Sequence, residues 1–211
     1  MSVKVKICGV TDPANAVAAV DAGADYLGLN FYPGSPRFVT VERALEIAGA
    51  VAGRVPLVGV FVNAPADRIE EIAGRVGLAV VQLSGDEGPE AVAPFAARAL
   101  KAFRTGGLAR RDEIAGYGNL WGVLIDAPHG TLYGGTGAAW DYASVSALEG
   151  TRRLFLAGGI GPDNARRAVA SVRPYAIDVC SRVESSPGIK DRELLRVLFQ
   201  EVRNGESSTP P

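Results

Sequence analysis

Short apolar runs alternate with longer amphipathic stretches along most of this chain. The first run, over 3–7, ends at Cys8-Gly9. Thr11-Asp12-Pro13 then supplies a cap residue and a first-turn proline for a helix that closes at Ala22-Gly23. The same unit recurs. Apolar runs over 26–31, 57–62, 80–83, 101–104, 122–125, 154–156 and 176–179 predict further strands. Amphipathic stretches over 40–52, 64–76, 89–100, 110–117, 141–148, 162–172 and 191–202 predict the helices between and after them. Each strand reads as a near-continuous buried run, the pattern of a parallel sheet covered by helices. Eight such units favour closure into a single (β/α)8 barrel over 1–203. The polar, Pro-containing residues 204–211 read as a frayed tail.

Composition narrows the class. The chain has 211 residues, 47% hydrophobic and 21% charged, enough for one barrel or two small domains, and no linker divides it. Its formal net charge is −1, and like charges are not clustered as a nucleic-acid or lipid surface would require. The N-terminus lacks the apolar core of a secretory signal, and no run approaches the roughly 18 residues of a membrane helix. Two cysteines, Cys8 and Cys180, do not make a disulfide framework. A reduced cytoplasmic setting is expected, in which both remain thiols.

In barrels of this kind the active site lies at the C-terminal ends of the strands. Polar residues gather there: Cys8, Asn30, Asn63, Gln82, Asp126, Gly158-Gly159 and Asp178. Cys8 suits a general base if cationic neighbours lower its pKa, against the ordinary fate of a small buried hydrophobe. Asp126 suits a general acid if its surroundings hold a proton on it, against a simple cap. Gly158-Gly159 after strand seven and Cys180-Ser181 after strand eight suit a phosphate site, against a plain tight turn. Arg37, between Ser35-Pro36 and Phe38, offers a planar fork for a carboxylate, against a solvated loop arginine. Gly134-Gly135-Thr136-Gly137 lacks the lysine and spacing of a P-loop and reads as a cover over the site. His129 is the single histidine, so no His–carboxylate cluster is available for a catalytic metal. No strand-end lysine stands out as a Schiff-base former.

These strings resemble the phosphoribosylanthranilate isomerase family over nearly the whole chain. The likeness rests on Lys6-Ile7-Cys8-Gly9, Ser35-Pro36-Arg37, Gly59-Val60-Phe61-Val62-Asn63, Val81-Gln82-Leu83 and Gly134-Gly135-Thr136-Gly137. Leu156-Ala157-Gly158-Gly159-Ile160, Asp178-Val179, Pro187-Gly188 and Lys190-Asp191 complete it. The resemblance implies a cofactor- and metal-free Amadori rearrangement of a sugar phosphate carrying an anthranilate group, with Asp126 as acid and Cys8 as base. Arg37, Gln82 and Asp178 would contact substrate, and Gly158, Gly159, Cys180 and Ser181 its phosphate. Nucleic acid and membrane are not expected partners, and the chain is expected as a monomer or homodimer.

The chain departs from the family pattern in three places. Ser84 stands where the family has histidine. Cys180 and Arg182 stand in a string that the family writes Asp-Val-Ser-Ser-Gly-Val-Glu; Arg182 either clashes, if that turn needs a positive φ, or adds a phosphate contact, or points outward. Three rival readings stay open: a lyase such as indole-glycerol-phosphate synthase, which would want strand-end lysines; a phosphometabolite-binding barrel without catalysis; and a dual-substrate isomerase, whose second substrate carries two phosphates against the one evident cradle.

Overall fold

The computed structural model describes residues 2–104, 111–126 and 153–207. Eight parallel strands close a barrel in chain order. They are β1 Lys4–Cys8, β2 Tyr26–Asn30, β3 Leu57–Phe61, β4 Val80–Leu83, β5 Ala99–Arg104, β6 Gly122–Asp126, β7 Leu154–Ala157 and β8 Ala176–Val179. The seam closes where β8 pairs with β1, Lys6 opposite Asp178 and Ile7 opposite Val179. The helices are α1 Pro13–Ala22, α2 Val41–Val51, α3 Ala66–Val76, α4 Pro89–Val92, α5 Arg111–Ala115, α6 Ala165–Val172 and α7 Arg192–Ser207. This is the single-domain TIM barrel expected from the alternation. The helix expected over 141–148, the glycine loop at 134–137 and His129 lie outside the described residues.

The period of two along each strand sorts side chains between two cores. Ile7, Leu27, Leu29, Val81, Ile125, Leu156 and Ile177 face the helices in one continuous cluster. Tyr26, Val58, Val80, Leu100, Leu124, Phe155 and Ala176 fill the barrel interior in a second. Rings close the N-terminal end of that interior. Phe155 packs on Tyr26 with centroids 5.8 Å apart and on Tyr175 at 5.6 Å, and the Tyr26 and Tyr175 hydroxyls meet at 2.8 Å. With that end filled, polar groups projecting inward are left for the C-terminal mouth.

Three departures from the expected elements have local causes. The helix expected over 89–100 stops at Val92 and continues as a 3-10 turn, Ala93–Arg98. Pro94 has no N–H to donate back along α4, so the coil tightens, and β5 begins at Ala99 rather than 101. α7 runs to Ser207, so residues 204–207, expected in the tail, are helical. Gly205 is the reason: a Cβ there would stand 2.8 Å from the Arg166 carbonyl, so its bare backbone lets α7 lie close on α6. Third, after β8 the chain makes an unforeseen antiparallel hairpin, β9 Glu184–Ser186 with β10 Ile189–Lys190. Among the described residues no helix is long and apolar enough to cross a membrane.

Candidate active site

Cys8 ends β1 with its side chain on the inward parity, two residues above Lys6. The opposing position on β2 is Gly28, where a Cβ would stand 2.7 Å from the Cys8 sulfur. The thiol therefore occupies space that any other residue on β2 would take. Below it, the fully buried Lys6 ammonium donates to both oxygens of Asp178, each at 2.8 Å. Burial alone would lower the Lys6 pKa, but the Asp178 carboxylate and the Cys8 sulfur outweigh it, so Lys6 stays protonated.

The Cys8 thiol is drawn down to about 7. A hydrogen bond from Cys180 is the main cause; burial opposes it, the Lys6 charge adds to it, and Asp178 partly offsets that charge. Cys180 is pushed the other way, above the ordinary thiol range, first by the same bond to Cys8 and then by burial. Both cysteines are free thiols. Gly9, at φ +69°, permits their approach: a Cβ there would lie 2.9 Å from the Cys180 sulfur and 2.5 Å from Arg37 Cδ.

Arg37 is organised by its loop. Asn30 accepts from the Tyr32 amide and donates to the Ser35 hydroxyl, and Ser35 in turn accepts from the Arg37 amide. The guanidinium grips Glu184 through Nε at 2.9 Å and Nη2 at 2.6 Å; Nη1 takes no part in this pairing. Glu184 also accepts from the buried Lys190 ammonium at 2.7 Å. Burial would raise the Glu184 carboxyl, but the two cations more than reverse this and hold it below its usual value. Lys190 donates further to the carbonyls of Cys8 at 2.6 Å and Cys180 at 3.3 Å. The hairpin thus ties the ends of β1 and β8 together.

Gly158 and Gly159 follow β7 at φ +91° and +67°. Asn164, which caps α6, braces this loop: it accepts from the Gly161 amide at 2.9 Å and donates to the Gly159 carbonyl at 3.1 Å. Helix α6 begins at Ala165, so the N-terminus expected near Pro162 sits one short turn further on. Arg182 lies in a 3-10 turn, Ser181–Val183, and is absent from the positive-φ residues, so the feared backbone clash does not arise. It packs directly over Gly161 and pairs with Asp163 at 2.6 Å.

Cys8, Gln82, Asp126, Gly158, Gly159, Asp178, Cys180 and Ser181 all line one cavity of about 180 Å³ at the mouth, with Ser84 and Arg182. Arg37 is not among the residues that line it; its Cδ lies against Gly9, next to Cys8, and its side chain is partly exposed. Asn30 and Asn63 do not line it either. Asn63, at φ +50°, joins two loops by accepting from the Asp86 amide. Gln82 donates to the Ser84 hydroxyl at 3.0 Å, while its buried oxygen lacks a hydrogen-bond partner among the described residues. Among those residues no group of three His, Cys, Asp or Glu gathers to hold a metal. Lys6, Glu184 and Lys190 went unremarked as site residues. Parity would have found Lys6, since it lies two residues before Cys8; the other two reach the site through the unforeseen hairpin.

Comparison with known proteins gives the family. The family model for N-(5'-phosphoribosyl)anthranilate (PRA) isomerase matches residues 5–201. The N-(5'-phosphoribosyl)anthranilate isomerase of Myxococcus xanthus is 44% identical over 210 residues, covering 97% of this chain and 98% of that protein. The crystal structure of phosphoribosyl anthranilate isomerase from Thermotoga maritima superposes with a TM-score of 0.87 at 35% identity, covering 95% of this chain and 98% of that one. A second solved isomerase, in complex with reduced 1-(o-carboxyphenylamino)-1-deoxyribulose 5-phosphate, superposes with a TM-score of 0.85 at 33% identity and the same coverage. With its barrel fold and its sequence matching over nearly full length, the chain belongs to the phosphoribosylanthranilate isomerase family.

Proposed function

We propose that this chain is the aldose–ketose isomerase of tryptophan biosynthesis that converts N-(5-phosphoribosyl)anthranilate to 1-(2-carboxyphenylamino)-1-deoxyribulose 5-phosphate. Asp126 is the general acid: it protonates the furanose ring oxygen, the C1′–O bond breaks, and a Schiff base forms. Cys8 is the general base: its thiolate removes the C2′ proton, and the resulting enolamine tautomerises to the ketone. The glycine backbone at Gly158-Gly159 and the turn at Cys180-Ser181 hold the phosphate, with Gln82 and Asp178 contacting the sugar. Arg37 presents Nη1 to the anthranilate carboxylate while Glu184 fixes the rest of the fork.

The observation that carries this reading is that Cys8 and Asp126 line one cavity together with the glycine loop. A base and an acid on separate strands of one small mouth can act on two sites of one bound sugar. Turnover followed as loss of anthranilate fluorescence tests it, for the unaltered protein, Cys8→Ser and Asp126→Asn. A fall of several orders of magnitude in kcat for both variants, with the fold intact, is expected. Activity surviving both would keep the substrate and discard the assignment, and an inactive parent protein would discard the isomerase itself.

A further inference from the structure

The cavity at the mouth is unevenly charged. Two carboxylates, Asp126 and Asp178, line it, and Arg182 is the one basic side chain among the described residues that do. Lys6 lies beneath and gives its ammonium to both oxygens of Asp178. A phosphate monoester carries a charge of about −1.5 to −2 near neutrality. Backbone N–H groups, such as those of Gly158-Gly159, set only partial charges against it. An anion of that charge, entering beside two carboxylates, calls for a full cation within hydrogen-bond reach.

Arg182 is placed for that task. Its turn, Ser181–Val183, follows β8, and its side chain crosses to the loop after β7. A Cβ on Gly161 would stand 2.5 Å from Arg182 Cβ, 3.1 Å from Nε and 3.2 Å from Cγ. Gly161 is not among the positive-φ glycines, so its backbone would accept an alanine. What excludes the methyl is the arginine stem. Asp163 holds the far end, accepting from Nη2 at 2.6 Å. That pair lies near the surface, with Asp163 62% exposed and Arg182 32%, where an ion pair contributes little. It steadies the guanidinium over the loop without binding it tightly. A guanidinium carries five N–H donors in one plane, enough to serve a carboxylate and a phosphate together.

We propose that Arg182 is a phosphate-binding residue: its guanidinium closes the cradle of Gly158, Gly159 and Ser181 over the substrate's 5′-phosphate and supplies the cation there. This rests on the reading of that loop as the phosphate site. Glycine, which the family string has at this position, offers no side-chain charge. Phosphate affinity in this chain therefore depends on a side chain as well as on backbone. The phosphate is remote from the C1′ and C2′ bonds that change, so Arg182 holds bound substrate and transition state equally. Its loss shows in KM and not in kcat.

The test compares the unaltered protein with Arg182→Met, Arg182→Lys and Asp163→Asn. Steady-state turnover of N-(5-phosphoribosyl)anthranilate is measured beside the rise in unfolding temperature given by ribose 5-phosphate, with ribose as the phosphate-free control. Arg182→Met should raise KM about tenfold or more, with kcat within about twofold. The same variant should need about tenfold more ribose 5-phosphate for an equal thermal rise. Arg182→Lys, which keeps the charge without the fork, should lie between. Asp163→Asn should stay close to the unaltered protein. Were Asp163→Asn to raise KM as much as Arg182→Met, Arg182 would be a strut and not a ligand, and the proposal would fail. It fails equally if ribose 5-phosphate stabilises the unaltered protein no better than ribose or Arg182→Met. An unaltered protein that binds ribose 5-phosphate through Arg182 and turns nothing over would strike out the isomerase reading alone.

Discussion

Lys6 and Asp178 stand opposite one another across the β1–β8 seam, the ammonium 2.8 Å from each carboxylate oxygen, at the floor of the cavity. An ion pair so placed has given up its water, and neither member tolerates loss of the other. Lys6→Met should therefore destabilise the fold by about 3–5 kcal/mol in urea unfolding, because Asp178 is left charged and unpaired. Lys6→Met with Asp178→Leu should regain most of that stability. It should not regain activity, since Cys8 has lost the cation beneath it.

Gly28 should tolerate no side chain. In Gly28→Ala the new methyl would sit 2.7 Å from the Cys8 sulfur and 3.1 Å from its Cα. The strand must shift or the thiol must turn, at a cost of about 1–3 kcal/mol in stability. Displacement of the base by about 1 Å should lower kcat about a hundredfold with a smaller change in KM. Steady-state kinetics beside thermal unfolding separates the two effects.

Activity should rise with pH through neutrality. In the proposed mechanism Cys8 works as a thiolate, and its pKa is drawn down to about 7, so kcat/KM should be half-maximal near there on the acid side and fall tenfold per unit below it. An ordinary thiol, titrating near 8.5, would place that limb higher by more than a unit. A pH profile of kcat/KM between 5 and 9 distinguishes them.

The hairpin should answer to Glu184. Its carboxyl is held below the usual value, so its pairing with Arg37 and Lys190 contributes fully above the ordinary carboxylate range and is lost as pH falls through the lowered value. Glu184→Gln should cost about 2 kcal/mol at neutral pH, since the buried Lys190 keeps only a neutral acceptor. Denaturant unfolding at pH 7 and at pH 4 should show the variant and the unaltered protein converging as the solution is acidified.

Much of this was legible before the structure. Each strand ends within one residue of the end of its apolar run, and Cys8, Gln82, Asp126 and Asp178 are legible because a polar residue at or near the end of such a run stands at the mouth. What stayed hidden depended on pairs far apart in sequence. Arg37 reads as a substrate clamp on its own; its tie to Glu184 spans 147 residues and passes through a two-stranded hairpin too short to announce itself by periodicity. Gly205, read as a terminus, is helical because α6 packs against it, a tertiary effect that overrides its poor propensity. Arg182 looked obstructive only on the assumption of a backbone angle the chain does not adopt.

The bond from Lys190 to the Cys8 carbonyl spans 182 residues and carries a consequence for biosynthesis. β1 leaves the ribosome long before Lys190, which holds its last carbonyl from 182 residues further along the chain. Until then β1 has no β8 to pair with and Cys8 has no Lys190 on its carbonyl. The surroundings of that thiol are complete only when the seam closes, so the finished ring, and not the emerging chain, is the first species in which Lys6, Asp178 and Lys190 stand around it.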